Sequence, residues 1–197
     1  MWSISTSPQI QQVNTPIFFT LNEFTEKSLQ SFNKSILKAS EACQPIIPIS
    51  IQSDGGSAVI LYGFMSAMES ARKNGIQFAS VVAGTAASAA ACVFLFSDYR
   101  YMGEFSSLCY HSLQISQEGA LPILEGQMTW YRKENDRINE VISRHLKKPK
   151  DWLKKQLKTQ FSDDWMISAE DAISNGMATE IRIPQFNLEI KSEFSIS

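Results

Sequence analysis

The sequence predicts an α/β fold assembled from successive βαβ units. Three observations carry that expectation. Short apolar runs rich in β-branched and aromatic residues alternate with stretches of helical period, glycine-bearing turns stand where strands pass into helices, and one long helical stretch breaks the alternation late in the chain.

Residues 1–14 are polar, lack a clear period and read as an N-terminal arm, flexible or gating. The remainder, 15–197, reads as one domain. "TPIFFT" (15–20) reads as a buried strand. "NEFTEKSLQSFNKSILKASEAC" (22–43) reads as an amphipathic helix because Leu29, Phe32, Ile36 and Leu37 fall on one stripe, and "PIIPISI" (45–51) reads as the next strand. Such a unit makes a parallel pair with a right-handed crossover. "SDGGSAVILYGFMSAMESARKNG" (53–75) repeats the theme: a glycine turn runs into a helix that stops at Gly75, and "IQFASVVAG" (76–84) is its strand. A short helix from about Ala86 follows, then two strands, "YRYM" (99–102) and "SSLCYH" (106–111). The long helix runs from about Leu121 to Leu146, and a second from Lys150 to about Lys158. Ser168 is expected to cap the helix in "ISAEDAISNG", with Asp171 three residues on and Gly176 as its stop, before the strand "MATEIRI" (177–183).

Composition excludes several functions. With 18 Lys and Arg against 20 Asp and Glu the formal net charge is -2, so no basic field gathers nucleic acid. The local run "RHLKKPKDWLKKQLK" (144–158) reads as a solvated helical face. Cys43, Cys92 and Cys109 are odd in number and lack CxxC or Cys/His ligand spacing, so neither a disulfide framework nor a metal site is expected, and a reducing cytoplasm fits best. The start of the chain, "MWSISTSPQIQQVNTP", has no basic n-region and no apolar h-region. The longest stretch of small and apolar residues, Ala86 to Phe96, is about half a membrane span, so no membrane partner is expected.

Chemistry enters at "GTAASAAACVF" (84–94), where one hydroxyl, Ser88, stands among small apolar residues. Packing explains the alanines but not the serine. At the head of a helix that follows a strand, its hydroxyl would lie beside open N–H groups and the positive end of the helix dipole, although an incidental cap reads the same way. A catalytic serine needs a base, and the chain has two histidines. His145 falls near the basic end of the long helix and reads as an ordinary surface histidine. His111 ends an apolar strand, where α/β proteins place functional side chains. "SDGG" (53–56) joins strand to helix through two glycines that permit positive φ and leave an N–H open to a ligand. No GxGxxG or GK[ST] follows, so no nucleotide cofactor is expected. A Gly-Gly N–H together with the N–H after Ser88 would form a two-donor oxyanion hole.

"QSDGGSA", then "GTAASAAA", "LCYHS" and "DDWMISAEDAISNGMATEI", in that order between about residues 45 and 182, resemble the ClpP family, the proteolytic subunit of Clp protease. The resemblance implies a ClpP/crotonase-like spiral of βαβ units with a long protruding handle helix, the handle region lying at about 113–146. It implies Ser88 as nucleophile, His111 as base and Asp164 as the orienting acid, with Asp163 as the neighbouring alternative. The oxyanion N–H groups would come from Gly56 and Ala89. An extended peptide would dock beside Gly55 and Ser57 and along Leu113, Gln114 and Ile115. Family partners are a polypeptide substrate, further copies of the chain in a heptameric ring or two stacked rings, and a Clp ATPase, an AAA+ unfoldase. Three departures stand out. Asp54 and the pair Ser112–Leu113 replace a proline and a Gln-Pro, which implies an altered groove. Trp165 replaces an arginine that pairs across rings, which implies an inter-ring contact with an aromatic in its place. The arm lacks the family's recognisable gate segment. Two rival functions share the fold: an inactive structural ring subunit, and a crotonase-type acyl-CoA enzyme working without a Ser-His pair.

Overall fold

A computed structural model describes residues 16–114, 118, 120–160 and 163–186. The expected N-terminal arm and Ile115 lie outside the described residues. The chain runs β1 (Phe19–Leu21), α1 (Glu26–Glu41), β2 (Ile46–Ser53), α2 (Ala58–Lys73), β3 (Gln77–Ala87), α3 (Ala89–Leu95), β4 (Tyr99–Met102), β5 (Ser107–His111), α4 (Leu121–His145), α5 (Trp152–Lys158), β6 (Asp164–Ser168), α6 (Ala169–Ser174) and β7 (Glu180–Ile181). The fold is α/β with a mostly parallel sheet, as the sequence predicts.

The sheet is organised around β3, which is long enough to serve two partners in succession. Its first half pairs in parallel with β4, Ala79 to Val82 opposite Tyr99 to Met102. Its end pairs with β5, Thr85 to Ala87 opposite Ser107 to Cys109. The main path is β1-β2-β3-β4-β7, and β5 carries β6 antiparallel on its other side. The molecule thus has a broad parallel sheet and a narrow β5–β6 ribbon budding from the end of β3.

Burial follows the period of each element. Along β2, Ile47, Ile49, Ile51 and Ser53 are buried while Ser50 and Gln52 are exposed. The buried side meets Phe32 of α1 and Phe64 of α2, and Phe19, Phe24 and Phe78 complete an aromatic cluster with centroids 5.0–6.0 Å apart. Helix α1 begins later than the sequence suggests because Thr25 forms a capping box with Ser28. Ser168 caps α6 as expected, accepting from the Asp171 N–H at 3.1 Å.

Three expectations need correction. The helix expected from Ala86 starts at Ala89, because β5 takes Ala86 and Ala87 into its ladder. His145 is not a surface histidine: its Nε2 donates to the Ser97 carbonyl at 3.1 Å and its ring lies 4.9 Å from that of Phe96. Trp165 is 7% exposed and meets Trp152 edge-on at 6.1 Å inside the protomer, so it offers no aromatic surface to a neighbouring ring. The alternation of β6 turns Trp165 and Ile167 inward, and leaves Met166 outermost.

Helix α4 has two unlike halves. Ile138, Asn139, Ile142 and Ser143 are buried in its second half. None of its residues from Leu121 to Arg137 is buried, and Leu121, Ile123, Met128 and Trp130 are exposed.

Candidate active site

Strand β3 ends at Ala87 and α3 begins at Ala89, so Ser88 alone makes the turn between them, at φ 55° and ψ −121°. A residue with a Cβ adopts positive φ only under constraint. The constraints are visible. The Ser88 N–H donates to the Cys109 carbonyl of β5 at 2.8 Å, and the Ser88 carbonyl accepts the Cys92 N–H at 3.1 Å to open α3. Gly55 packs behind the turn so closely that a Cβ there would lie 2.7 Å from both the Ala87 oxygen and the Ser88 Cβ. Gly55 and Gly56 both take positive φ, 95° and 153°. The two glycines of "SDGG" therefore let one turn nest against another.

His111 is the last residue of β5 and Asp164 the first of β6, and the antiparallel register sets them directly opposite each other. Directly opposed residues project on the same face, so the ribbon presents imidazole and carboxylate together. Asp163 precedes the strand and lies outside this ladder. His111 Nδ1 is 2.6 Å from the Ser112 carbonyl. A carbonyl only accepts, so Nδ1 carries the proton and Nε2 is left as the basic nitrogen.

Ser88 and His111 line one cavity of about 370 Å³ with Asp54, Gly56, Ser57, Ala89, Leu113 and Gln114, over an apolar floor that includes Leu61 and Ile138. The thiol of Cys92 also faces it, but burial pushes that group up to about 12, which keeps it protonated and a poor nucleophile. Cys109 on the ribbon is also raised, first by burial and then by the charge of Asp164. Among the described residues, no group of three or more His, Cys, Asp or Glu side chains is arranged to hold a metal ion.

The Clp protease family matches the chain over residues 8–184. The chain belongs to the Clp protease family. A search of curated proteins found no match. Membership of the Clp protease family implies a serine peptidase of the ClpP type, and proteins of this family form oligomeric rings that act on polypeptides. Among the described residues no helix is long and apolar enough to cross a membrane.

Sequence reasoning missed two groups. Strand β6 went unassigned because its outward positions include the apolar Met166, so "DWMIS" shows no polar/apolar alternation, and the short apolar run Trp165–Ile167 was its only signal. The second group is a polar relay that runs from the core to the cavity wall: Tyr110 Oη donates to Asn139 Oδ1 at 2.9 Å, Asn139 Nδ2 to the Asn135 carbonyl at 2.8 Å, and the Leu113 N–H to Asn135 Oδ1 at 3.0 Å. Two amides spaced one helical turn apart on α4 were its only trace in the sequence.

Proposed function

We propose that the chain is an active serine endopeptidase in which Ser88 attacks the peptide carbonyl, His111 Nε2 takes the hydroxyl proton and returns it to the leaving amine, and Asp164 stabilises the imidazolium. The Gly56 and Ala89 N–H groups receive the oxyanion, and water then releases the acyl group from Ser88. The observation that carries this reading is the union of a serine at φ 55° with a histidine on the wall of the same cavity, the histidine opposed in register by a carboxylate. The imidazole already has Nδ1 protonated, the tautomer a general base requires.

The substrate is an extended peptide that adds as a strand between the Gly55–Ser57 turn and the Leu113–Ile115 segment. The functional unit is a single domain over 15–197 behind a short arm, assembled with further copies of itself, most simply as a heptameric ring. Two features support assembly: the parallel sheet leaves Thr20, Ser50 and Gln52 exposed on a face that parallel sheets normally cover, and the first half of α4 holds out Leu121, Ile123, Met128 and Trp130. A cytoplasmic setting and docking of an AAA+ unfoldase complete the proposal. Activity on small fluorogenic peptides tests it: Ser88→Ala and His111→Ala should each lower kcat by roughly 10⁴-fold while leaving assembly intact. Either variant keeping more than about a tenth of the activity would remove that residue from its role.

A further inference from the structure

The cavity wall after His111 raises a mechanical problem. Strand β5 ends at His111, so the next residues leave the ladder, yet Leu113 and Gln114 line the cavity where a substrate strand would pair. A docking edge must be held straight before the peptide arrives, or binding must supply the ordering cost. Proline would hold such an edge by fixing φ and removing a donor that needs an acceptor. Leucine does neither.

Helix α4 supplies what the leucine lacks. It grips the chain on both sides of His111 with two amides one turn apart. Asn139, 2% exposed, accepts from Tyr110 Oη just before the histidine. Asn135, half-buried, accepts the Leu113 N–H just after it at 3.0 Å. The Nδ2 of Asn139 donates to the Asn135 carbonyl at 2.8 Å, which ties the two grips together. Asn135 itself lines the cavity, and the Leu113 side chain packs against the core, so the segment is fixed at one backbone and one side-chain point.

We infer that Asn135 is a positioning residue for peptide docking: its side-chain oxygen holds Leu113 N–H and so pre-orders the edge that an extended substrate pairs with. The inference rests on the peptidase reading above, and it predicts an effect on substrate binding rather than on chemistry. Asn139, by contrast, holds the strand that carries the base, so the two amides serve different steps.

The test is steady-state kinetics on a fluorogenic peptide, with fluorophosphonate labelling of Ser88 run in parallel. Asn135→Ala should raise KM by about five- to tenfold, the scale of one hydrogen bond, with kcat and labelling rate within about twofold of the parent. Asn135→Asp keeps an acceptor oxygen and should hold KM within about twofold. In a Leu113→Pro background, where no N–H remains to be held, Asn135→Ala should have no further effect on KM. An unchanged KM in Asn135→Ala, a loss confined to kcat and labelling, or the same KM ratio in both backgrounds would each overturn the inference. Hydrogen exchange at the Leu113 amide needs no turnover: Asn135→Ala should speed it, and unchanged exchange would overturn the anchor even if the chain cleaves nothing. Silence of the parent in both turnover and labelling would count against the peptidase reading instead.

Discussion

The two histidines make similar bonds and live in opposite surroundings. Each uses one ring nitrogen on a backbone carbonyl, His111 on Ser112 at 2.6 Å and His145 on Ser97 at 3.1 Å. His145 is closed in by the Phe96 ring and by Arg72 and Arg100, and burial pushes its pKa down. It ties the end of α4 to the end of α3, beside the Arg72–Asp98 pair whose Nε to Oδ1 distance is 2.8 Å. His111 instead has open cavity on one side and a carboxylate opposite it in the ladder. A backbone bond fixes a ring, and access then decides whether the ring holds structure or moves protons.

The contrast can be broken most forcefully at Asp164. If the carboxylate stabilises the imidazolium, Asp164→Asn should lower kcat by orders of magnitude, approaching roughly 10⁴-fold, while Asp163→Asn changes it by less than about threefold. Equal losses would mean that register does not select the acid. A small loss in both would leave the Ser112 carbonyl as the sole orienting group.

A second measurement acts on His145. Its folded pKa is depressed below the ordinary 6.5, so the unfolded chain takes up a proton first as pH falls. Stability from this group is therefore complete above about pH 6.5 and declines as pH drops below it. His145→Gln should cost about 1 kcal/mol at neutral pH and make thermal stability less sensitive to pH between about 7 and 5, with kcat unaffected. A pH dependence identical to the parent would show that His145 is not the group responsible.

The smallest effect is expected at Asp54, a carboxylate on the wall of the cavity where the proposed oxyanion would form. Negative charge there opposes the developing oxyanion, so Asp54→Asn should raise kcat/KM by about two- to fivefold, more at low ionic strength. A decrease would mean that Asp54 assists binding.

Legibility in the sequence followed how local each determinant is. The order β1–α1–β2–α2–β3 was readable because the apolar period lies within each segment and Gly75 follows the end of α2, although β1 starts later than the sequence suggests. The places of Ser88, His111 and the Gly-Gly turn in the fold were readable because each sits at an element boundary. What was lost depends on partners far along the chain. Ala86 and Ala87 look helical in isolation, yet β5 claims them as strand. His145 stands among basic residues that suggest solvent, but the fold turns it onto Phe96. Trp165 stands where the family resemblance places an inter-ring arginine, which implies surface, and the pleat of β6 turns it inward onto Trp152. The Tyr110–Asn139–Asn135–Leu113 relay required α4 to return across β5, which no local pattern encodes.

The central claim is that His111 and not His145 activates Ser88. Labelling of the assembled protein with a fluorophosphonate, read by mass-spectrometric site mapping in the parent, His111→Ala and His145→Ala, tests it most directly. The account predicts a single adduct on Ser88 in the parent, retained in His145→Ala and reduced by at least about a hundredfold in rate in His111→Ala. An adduct elsewhere, or labelling of Ser88 that survives His111→Ala and fails in His145→Ala, would contradict it.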